Sequence, residues 1–590
     1  MILKKLSLAI VLFFFGLNAK SQNHPLDQKV IPEIKITSPM VPPAWAVEQR
    51  KLFNLYDAAC RLFADKYLAE NGYMKVVERW GGNDGPDDAM ENFAHWTLLY
   101  ALGGSESVLE IYKKAWEGHL IQFTKAKVPT IEMAKDGMYY KEFITSFDWE
   151  HNGEGLSAFN FYGLVDPNDT LFQKRVLRYA GFYINEDPEA QNYDPKQKII
   201  RSLHNGSRGP KLTFATESDW GGEPVAGHPE RLDRYSTASN IVGDHPLNLV
   251  STTLAMNAYM LTGDDKYRDW LLEYTNAWYD RIIENGGNIP TNIGLDGKIG
   301  GEWGGKWYGG TFGWNFWPQS NVRNYFIRGP RIAFGNAFML THNSKYIEPL
   351  QKQMENLYAA KKVVNSKILL PNKYGDNGWY GYIPENRFDV LRDIYLWSLD
   401  TTQLKHLKND PWILYLLGEN PNYPEQAIKR EQEFIARCIK NMNEDDSTAE
   451  VRQTDEPQKV NPVRAGTLVE LTTGGNNPGI AGNILHCRVR YFDPTRRRAG
   501  LPDDVATLVE KITSDGIELT LVNNNQTEPR KVILQSGAYG EHNFTKATVN
   551  NQSISLNNNE LLVVLEKGTG SKMILKMDLY KNNPTLSLPW

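Results

Sequence analysis

Cysteine is nearly missing from this chain: there are 3 in 590 residues, at Cys60, Cys438 and Cys487. An odd number so widely spaced cannot make a complete disulfide framework and has no metal-ligand spacing. All three read as small buried apolar residues. Positive charge is not in excess either. With 65 Lys and Arg against 70 Asp and Glu, the formal net charge is −5, which argues against a nucleic-acid partner. Any anionic ligand must then be held by a local basic cluster. Beyond the first 22 residues no apolar run is long enough to cross a membrane. HExxH, GxSxG, a phosphate-binding P-loop and a dinucleotide fingerprint are all absent, so the enzyme classes that depend on them lose support. No metal and no cofactor are expected, and nothing in the sequence speaks to oligomeric state.

What is present begins with a leader. Lys4 and Lys5 precede the apolar stretch Leu6–Leu17, and Ala19-Lys20-Ser21 suits signal peptidase. Residues 1–21 read as a signal peptide without a lipid-anchoring cysteine, so the protein is expected to be exported to the periplasm or beyond. Residues 22–442 read as a helical domain, 443–462 as a polar, acidic linker, and 463–590 as a second domain of alternating strands. GIELTLVNN, RKVILQSG, KATVNNQ, QSISLNN, ELLVVLEK and KMILKMDLY have the period and turn signals of an antiparallel β-sandwich. No catalytic constellation is visible in that second domain. Arg496, Arg497 and Arg498 form either a solvated turn or a reach toward the helical domain.

The helical domain is organised around Asp244–Asn285. An apolar segment, DHPLNLVSTTLAMNAYM, is followed by LTGDD and then by KYRDWLLEYTNAWYDRIIEN. In the latter, Tyr267, Trp270, Leu271, Tyr274, Trp278 and Ile282 fall on one helical face. Gly263 can end the first helix and Asp264 can cap the second. The pattern recurs with turns at Gly103, Asp166 and Asn343, and more loosely over Val390–Gly418. Further helices at Trp45–Leu68 and Glu425–Met442 bring the total to about six pairs, the period of stacked helix-pair repeats. The fold class is therefore mainly α and multidomain: an (α/α) toroid of about six helix pairs, then an antiparallel β-sandwich.

Two insertions interrupt the repeat, and insertions gather on a binding face. Ile200–Pro246 carries His204, Asn205, Arg208 and Tyr235. Asn285–Pro330 carries Trp303, Trp307, Trp314 and Trp317 among glycines, and ends near Arg328. Aromatic rings spaced by glycine suit stacking on sugars, although a buried aromatic cluster gives the same pattern. Polar residues open the apolar helices: Asp87, Asp88, Asn92 and His95 at one, Asp148, Glu150, His151, Asn152 and Glu154 at the next, Asp244, His245 and Asn248 at a third. Singly, such a histidine is more often a packed, hydrogen-bonded residue, and such an aspartate an N-cap. Their recurrence at equivalent positions is what favours a site.

The leader, helix pairs, Trp/Gly-rich loops and trailing sandwich resemble the toroid-plus-sandwich polysaccharide-degrading enzymes of Bacteroidota, including polysaccharide lyases and the ulvan oligosaccharide dehydratase type. The resemblance implies an oligosaccharide substrate bearing uronic acid. The chemistry of β-elimination at C4–C5 then assigns roles. The C5 proton leaves once the neighbouring carboxylate is neutralised. His151, His245, Tyr235 and His204 are candidates for proton transfer. Asn152, Glu150, Asn205, Arg208, Asp88, His95, Trp303, Trp314 and Arg328 are candidates for substrate binding. A lyase and a dehydratase need the same residues. A glycoside hydrolase would instead use paired carboxylates, from Asp88, Glu150, Glu154, Asp219, Glu223 or Asp244. A non-catalytic glycan binder would keep the aromatics alone.

Overall fold

The computed structural model describes residues 30–77, 86–125, 155–188, 191–201, 243–309, 314 and 325–590. Pro32–Trp590 form one compact unit. In chain order, β1 (Glu33–Ile36) leads to α1 (Ala44–Tyr67), α2 (Pro86–Glu91), α3 (Trp96–Leu102), α4 (Glu106–Lys125), α5 (Leu156–Tyr162), α6 (Thr170–Gly181) and the short strands β2 (Tyr193–Asp194) and β3 (Ile199–Ile200). A 3₁₀ turn, Pro246–Ser251, runs into α7 (Thr252–Thr262), then α8 (Asp265–Glu284), α9 (Tyr325–Thr341) and α10 (Glu348–Ala359). After a hairpin sheet of β4 (Lys362–Val364), β5 (Lys367–Gly375) and β6 (Gly378–Ile383) come α11 (Phe388–Ser398), α12 (Pro411–Leu416) and α13 (Tyr423–Glu444).

The pairing of apolar and amphipathic helices follows from their sequences. Residues Thr252–Met260 of α7 are all buried, whereas α8 buries the stripe Tyr267, Trp270, Leu271, Tyr274, Trp278 and Ile282. Between them Gly263 adopts φ +70°, a conformation that costs glycine nothing. Asp264 then accepts the Lys266 amide. The same device recurs: Asp169 caps α6 on the amides of Leu171 and Phe172, Asn343 accepts from Lys345 ahead of α10, and Asp400 accepts from Thr402 after α11. Each cap satisfies amides that a helix start leaves without partners. The C-terminal ends of the buried helices α3, α5, α7, α9 and α11 are therefore joined to the next element by short turns.

The remaining strands are β7 (Val489–Asp493), β8 (Arg498–Ala499), β9 (Val505–Thr513), β10 (Gly516–Asn523), β11 (Arg530–Ser536), β12 (Asn543–Val549), β13 (Gln552–Asn558), β14 (Glu560–Leu565) and β15 (Gly570–Asp578). They form two five-stranded sheets, β1-β14-β11-β7-β8 and β13-β12-β15-β10-β9. Alternation puts Leu534 and Val563 of one sheet and Leu519, Leu521 and Leu575 of the other into a single core. The protein is thus a mainly helical region followed by an antiparallel sheet region. β1 was not legible as part of the latter: it adds to β14 in parallel register, Ile34 opposite Val563. Of residues 443–462, read as a linker, those up to Val451 are exposed or half-buried, whereas those from Arg452 on pack against the helices. Arg452 is buried and donates to the Lys75 carbonyl, and Asn461 accepts from the Trp96 indole.

The sheets cap the C-terminal ends of the buried helices. Arg488 donates to Leu396 O of α11, Arg490 to Leu164 O beyond α5, and Arg498 to Tyr100 O and Gly104 O around the end of α3. Leu586 N donates to Met260 O of α7. Helix ends carry unpaired carbonyls and partial negative charge, so a cation there is doubly favoured. Arg498 accordingly reaches the helices, while Arg496 pairs with Asp503 at the surface.

Behind this interface Glu541 is buried and accepts the amides of Ala538 and Tyr539. Gly537, at φ +83°, leaves it room: a Cβ there would stand 2.2 Å from the Glu541 carboxyl carbon. Burial pushes the Glu541 carboxyl up to about 7. A carboxyl raised in the folded state stabilises below its unfolded value of 4.5 and loses that contribution as pH climbs toward 7. Glu541→Gln should therefore gain on the wild type across that window, by roughly 3 kcal/mol at its upper end. Urea unfolding at a series of pH values measures this; parallel curves for the two proteins would refute it.

Candidate functional site

Three of the long segments that break the repeat enter a buried helix at its N-terminal end. Residues 126–154 precede α5, 202–242 precede His245 and the turn into α7, and 310–324 precede α9. The sheets cover the opposite ends, so the N-terminal ends are where a site can form. His151, Asn152 and Glu150, with His204, Asn205, Arg208 and Tyr235, lie outside the described residues, as do Glu154, Asp219, Glu223 and Trp317. His245, Asp88, His95, Trp303, Trp314 and Arg328 are described.

Asp244 is a structural anchor. Its carboxylate accepts from the Tyr274 hydroxyl at 2.9 Å, the Trp278 indole at 3.1 Å, the Asn248 amide at 2.8 Å, and the main-chain amides of Ile200 and His245 at 3.2 and 2.8 Å. It thereby ties β3 and α8 to the start of the 3₁₀ turn. Desolvation pushes its carboxyl up to about 6. With both oxygens occupied, Asp244 is not one of a pair of carboxylates facing a glycosidic bond. His245 follows it as the buried N-cap residue of the turn.

His95 occupies the corresponding place before α3, at φ +68°. Its Nδ1 lies 2.5 Å from Arg464 O and its Nε2 2.6 Å from Gly479 O. Both ring nitrogens are thus engaged by main-chain carbonyls, and burial holds its pKa below the usual value. This histidine ties two later segments together. Asp88 is buried in α2, and Arg328 is half-buried in the first turn of α9.

The aromatic loop divides. Trp303 and Trp307 are half-buried. Trp314, expected in an open cleft, is 2% exposed. Its ring meets Trp379 edge-on at 4.9 Å, and Trp379 packs on Tyr374, which contacts Trp307 and Tyr308. The hairpin β5–β6, which the sequence reading left unassigned, supplies Tyr374 and Trp379 to this cluster, so Trp314 belongs to the main helical core. Trp314→Ala should cost about 3–5 kcal/mol of stability, seen as a lower Tm. A raised KM with an unchanged Tm would contradict this placement.

One polar pocket lies among the buried helices. It is lined by Arg331, Ile332 and Asn336 of α9, Asp393 and Trp397 of α11, and Asn476, Pro478, Asn483, Ile484 and His486 of the segment leading into the sheets. Arg331 pairs with Asp393 through Nε and donates to Asn477 O through Nη2. Asn476 donates to the other Asp393 oxygen at 2.7 Å. Asn336 spends its amide donors on the Thr252 and Thr253 hydroxyls. Its Oδ1 is buried with no donor among the described residues, and so is His486 Nδ1. The sequence reading missed this pocket because GGNNPGIAGNILHC looked like a turn-rich approach to the first strand. Its signal was the density of asparagine in a segment that turns out to be largely buried.

The family model described as a domain of unknown function, DUF8034, matches residues 33–226, 226–387 and 398–469. The chain belongs to the DUF8034 family. No curated protein matches it. In this DUF8034 protein the matched segments run from β1 through the helices and stop just before the asparagine-rich segment that completes the pocket. Among the described residues no helix is long and apolar enough to cross a membrane. The three cysteines are free and buried, as their spacing suggested.

Proposed function

We propose that this protein is an exported carbohydrate-active lyase that acts on uronic-acid-containing oligosaccharides by β-elimination across C4–C5, as an oligosaccharide dehydratase or a polysaccharide lyase on an ulvan-like substrate. In this reading the helix pairs close into an (α/α) toroid with the apolar helices inside. The observation that carries it is the polarity of the buried helices. Their C-terminal ends are capped by Arg488, Arg490 and Arg498, and their N-terminal ends receive the long insertions. An array of helix N-termini favours an anion, which suits a uronate carboxylate. Arg208, Asn152 and Asn205 would neutralise that carboxylate, and His151, with His245, Tyr235 or His204, would move the C5 proton.

Incubation with uronic-acid oligosaccharides tests this. Elimination yields an ultraviolet-absorbing unsaturated sugar, and product mass separates loss of water from chain cleavage. Hydrolysis without absorbance would replace this reading with a paired-carboxylate glycoside hydrolase. One feature favours that second reading: Asp393 lines the pocket, and desolvation raises its carboxyl against the pull of Arg331, the property a general acid needs.

A further inference from the structure

The sheet β4-β5-β6 is separate from the two large sheets, and its charge is one-sided. Between Glu355 and Asp376 the chain carries Lys361, Lys362, Lys367 and Lys373 and no acidic residue. The register sorts these side chains. Lys362 stands opposite Leu369 and Val364 opposite Lys367. Pro371 stands opposite Tyr382 and Lys373 opposite Tyr380. Residues opposite one another share a face, and alternation links the pairs along each strand. Lys362, Lys367, Lys373, Tyr380 and Tyr382 therefore lie on one face, and Val363 and Ile368 on the other. Lys373 is buried, Lys362 and Lys367 are exposed, and Tyr380 is 43% exposed.

Lys362 is held without being neutralised. Its ammonium sits 3.9 Å from the centroid of the Tyr382 ring, an attraction that orients the cation and leaves its charge uncompensated. Among the described residues neither Lys362 nor Lys367 has a carboxylate partner. The acids nearest along the chain are spent elsewhere. Asp376 takes Lys306 at 2.8 Å and the Tyr308 hydroxyl, and Glu385 lies 3.9 Å from Arg387. Tyr380 has room to lie along the sheet because residue 375 is glycine: a Cβ there would stand 3.4 Å from Tyr380 Cε1. The Asp376 contacts and the bond from Tyr374 N to Trp314 O fasten the hairpin to the insertion Asn285–Pro330, which leads into the N-terminal end of α9.

Resting on the reading above, we propose that this face is a second glycan-binding surface, outside the catalytic site, for a stretch of an acidic polysaccharide chain. Lys362 and Lys367 meet its carboxylates, and Tyr380 stacks on the apolar C–H face of a sugar ring. In a chain of net charge −5, cations left without acids favour an anion, and an open aromatic ring on the same face suits a pyranose. From Leu369, opposite Lys362, to Lys373, opposite Tyr380, is four residues of β5, about 13 Å. Charge and ring are thus met by different sugars of one chain, so a polymer gains from both and a single sugar does not.

The test uses the full chain with three polymers: polygalacturonate, its carboxyl-reduced neutral form, and polyglutamate, an anion without sugar rings. Polygalacturonate should bind, and the other two much more weakly. Replacing both Lys362→Ala and Lys367→Ala should weaken its binding about 10-fold, the sum of two exposed charge contacts. Tyr380→Ala should weaken it about 5-fold, the size of one ring contact. Tm should stay unchanged in both variants, and added salt should weaken the wild type more than the double lysine variant. Turnover of a short uronic-acid oligosaccharide should be the same in that variant as in the wild type. Equal binding by variants and wild type, no binding of polygalacturonate by the wild type, equal binding of polyglutamate, or an altered oligomeric state in the double variant would overturn the surface. Polymer binding that the lysine changes weaken, with no elimination by either protein, would leave the surface standing and remove the lyase reading. Elimination by a double variant that still holds the polymer as the wild type does would remove the surface alone.

Discussion

Asp244→Ala is expected to lose most of the protein's stability, about 5 kcal/mol or more, and to yield little folded material. The argument is one of abandoned donors. Tyr274 OH, Trp278 Nε1, Asn248 Nδ2 and the amides of Ile200 and His245 all end on this one carboxylate. Tyr274 and Trp278 are fully buried, so neither finds water when the acceptor goes. Each stranded donor costs about 1–3 kcal/mol, and a whole domain has a margin of only about 5–15 kcal/mol. Asp244→Asn keeps an acceptor oxygen and should be intermediate. Chemical unfolding of both variants checks the order. An alanine variant within 1 kcal/mol of the wild type, to set a bound of about the size of one ordinary hydrogen bond, would mean that these bonds do not anchor α8.

His151→Ala should do the reverse, leaving Tm nearly unchanged and removing turnover by about 10²–10⁴-fold, the usual contribution of a positioned general base. His151 and His245 open consecutive apolar helices in the sequence, and the insertion bearing His204, Arg208 and Tyr235 runs between them. A base with a pKa near neutrality and a cation for the carboxylate are what elimination needs. Under the lyase reading, kcat and kcat/KM should fall together, since the lost interaction exists only in the transition state. Retention of full activity would take His151 out of the mechanism.

The helix pairs were legible because each joins two signals that agree: an apolar run, and an Asp, Asn or Gly at the turn. Gly263 and Asp264 could be assigned before any coordinates. The strands from β10 to β15 were legible for the same reason, through alternation bounded by turn residues. β1 was not, because EIKI is too short to alternate convincingly and its partner lies at the far end of the chain. Trp314 misled because glycine beside tryptophan describes an open platform and a tight aromatic core equally well. Only the β5–β6 hairpin, distant in sequence, decides between them. The pocket was invisible for a related reason: α9, α11 and the 474–487 segment are brought together by long-range packing, and no local period records it. Asp244 was readable as a cap, but the number of bonds it gathers was not.

The parallel addition of β1 to β14 has a consequence for how the molecule can be divided. Residues 33–36 complete a sheet whose other members lie beyond residue 488, so the first strand to leave the ribosome has no neighbour until nearly the last has been made. A fragment started at residue 463 would present the flank of β14 as a bare ladder of amides and carbonyls, and an edge of that kind recruits other chains. Cutting the gene at its apparent domain border should therefore give material that self-associates. Carrying the β1 segment along, either as an added peptide or rejoined after β15 by circular permutation, should restore a soluble sandwich.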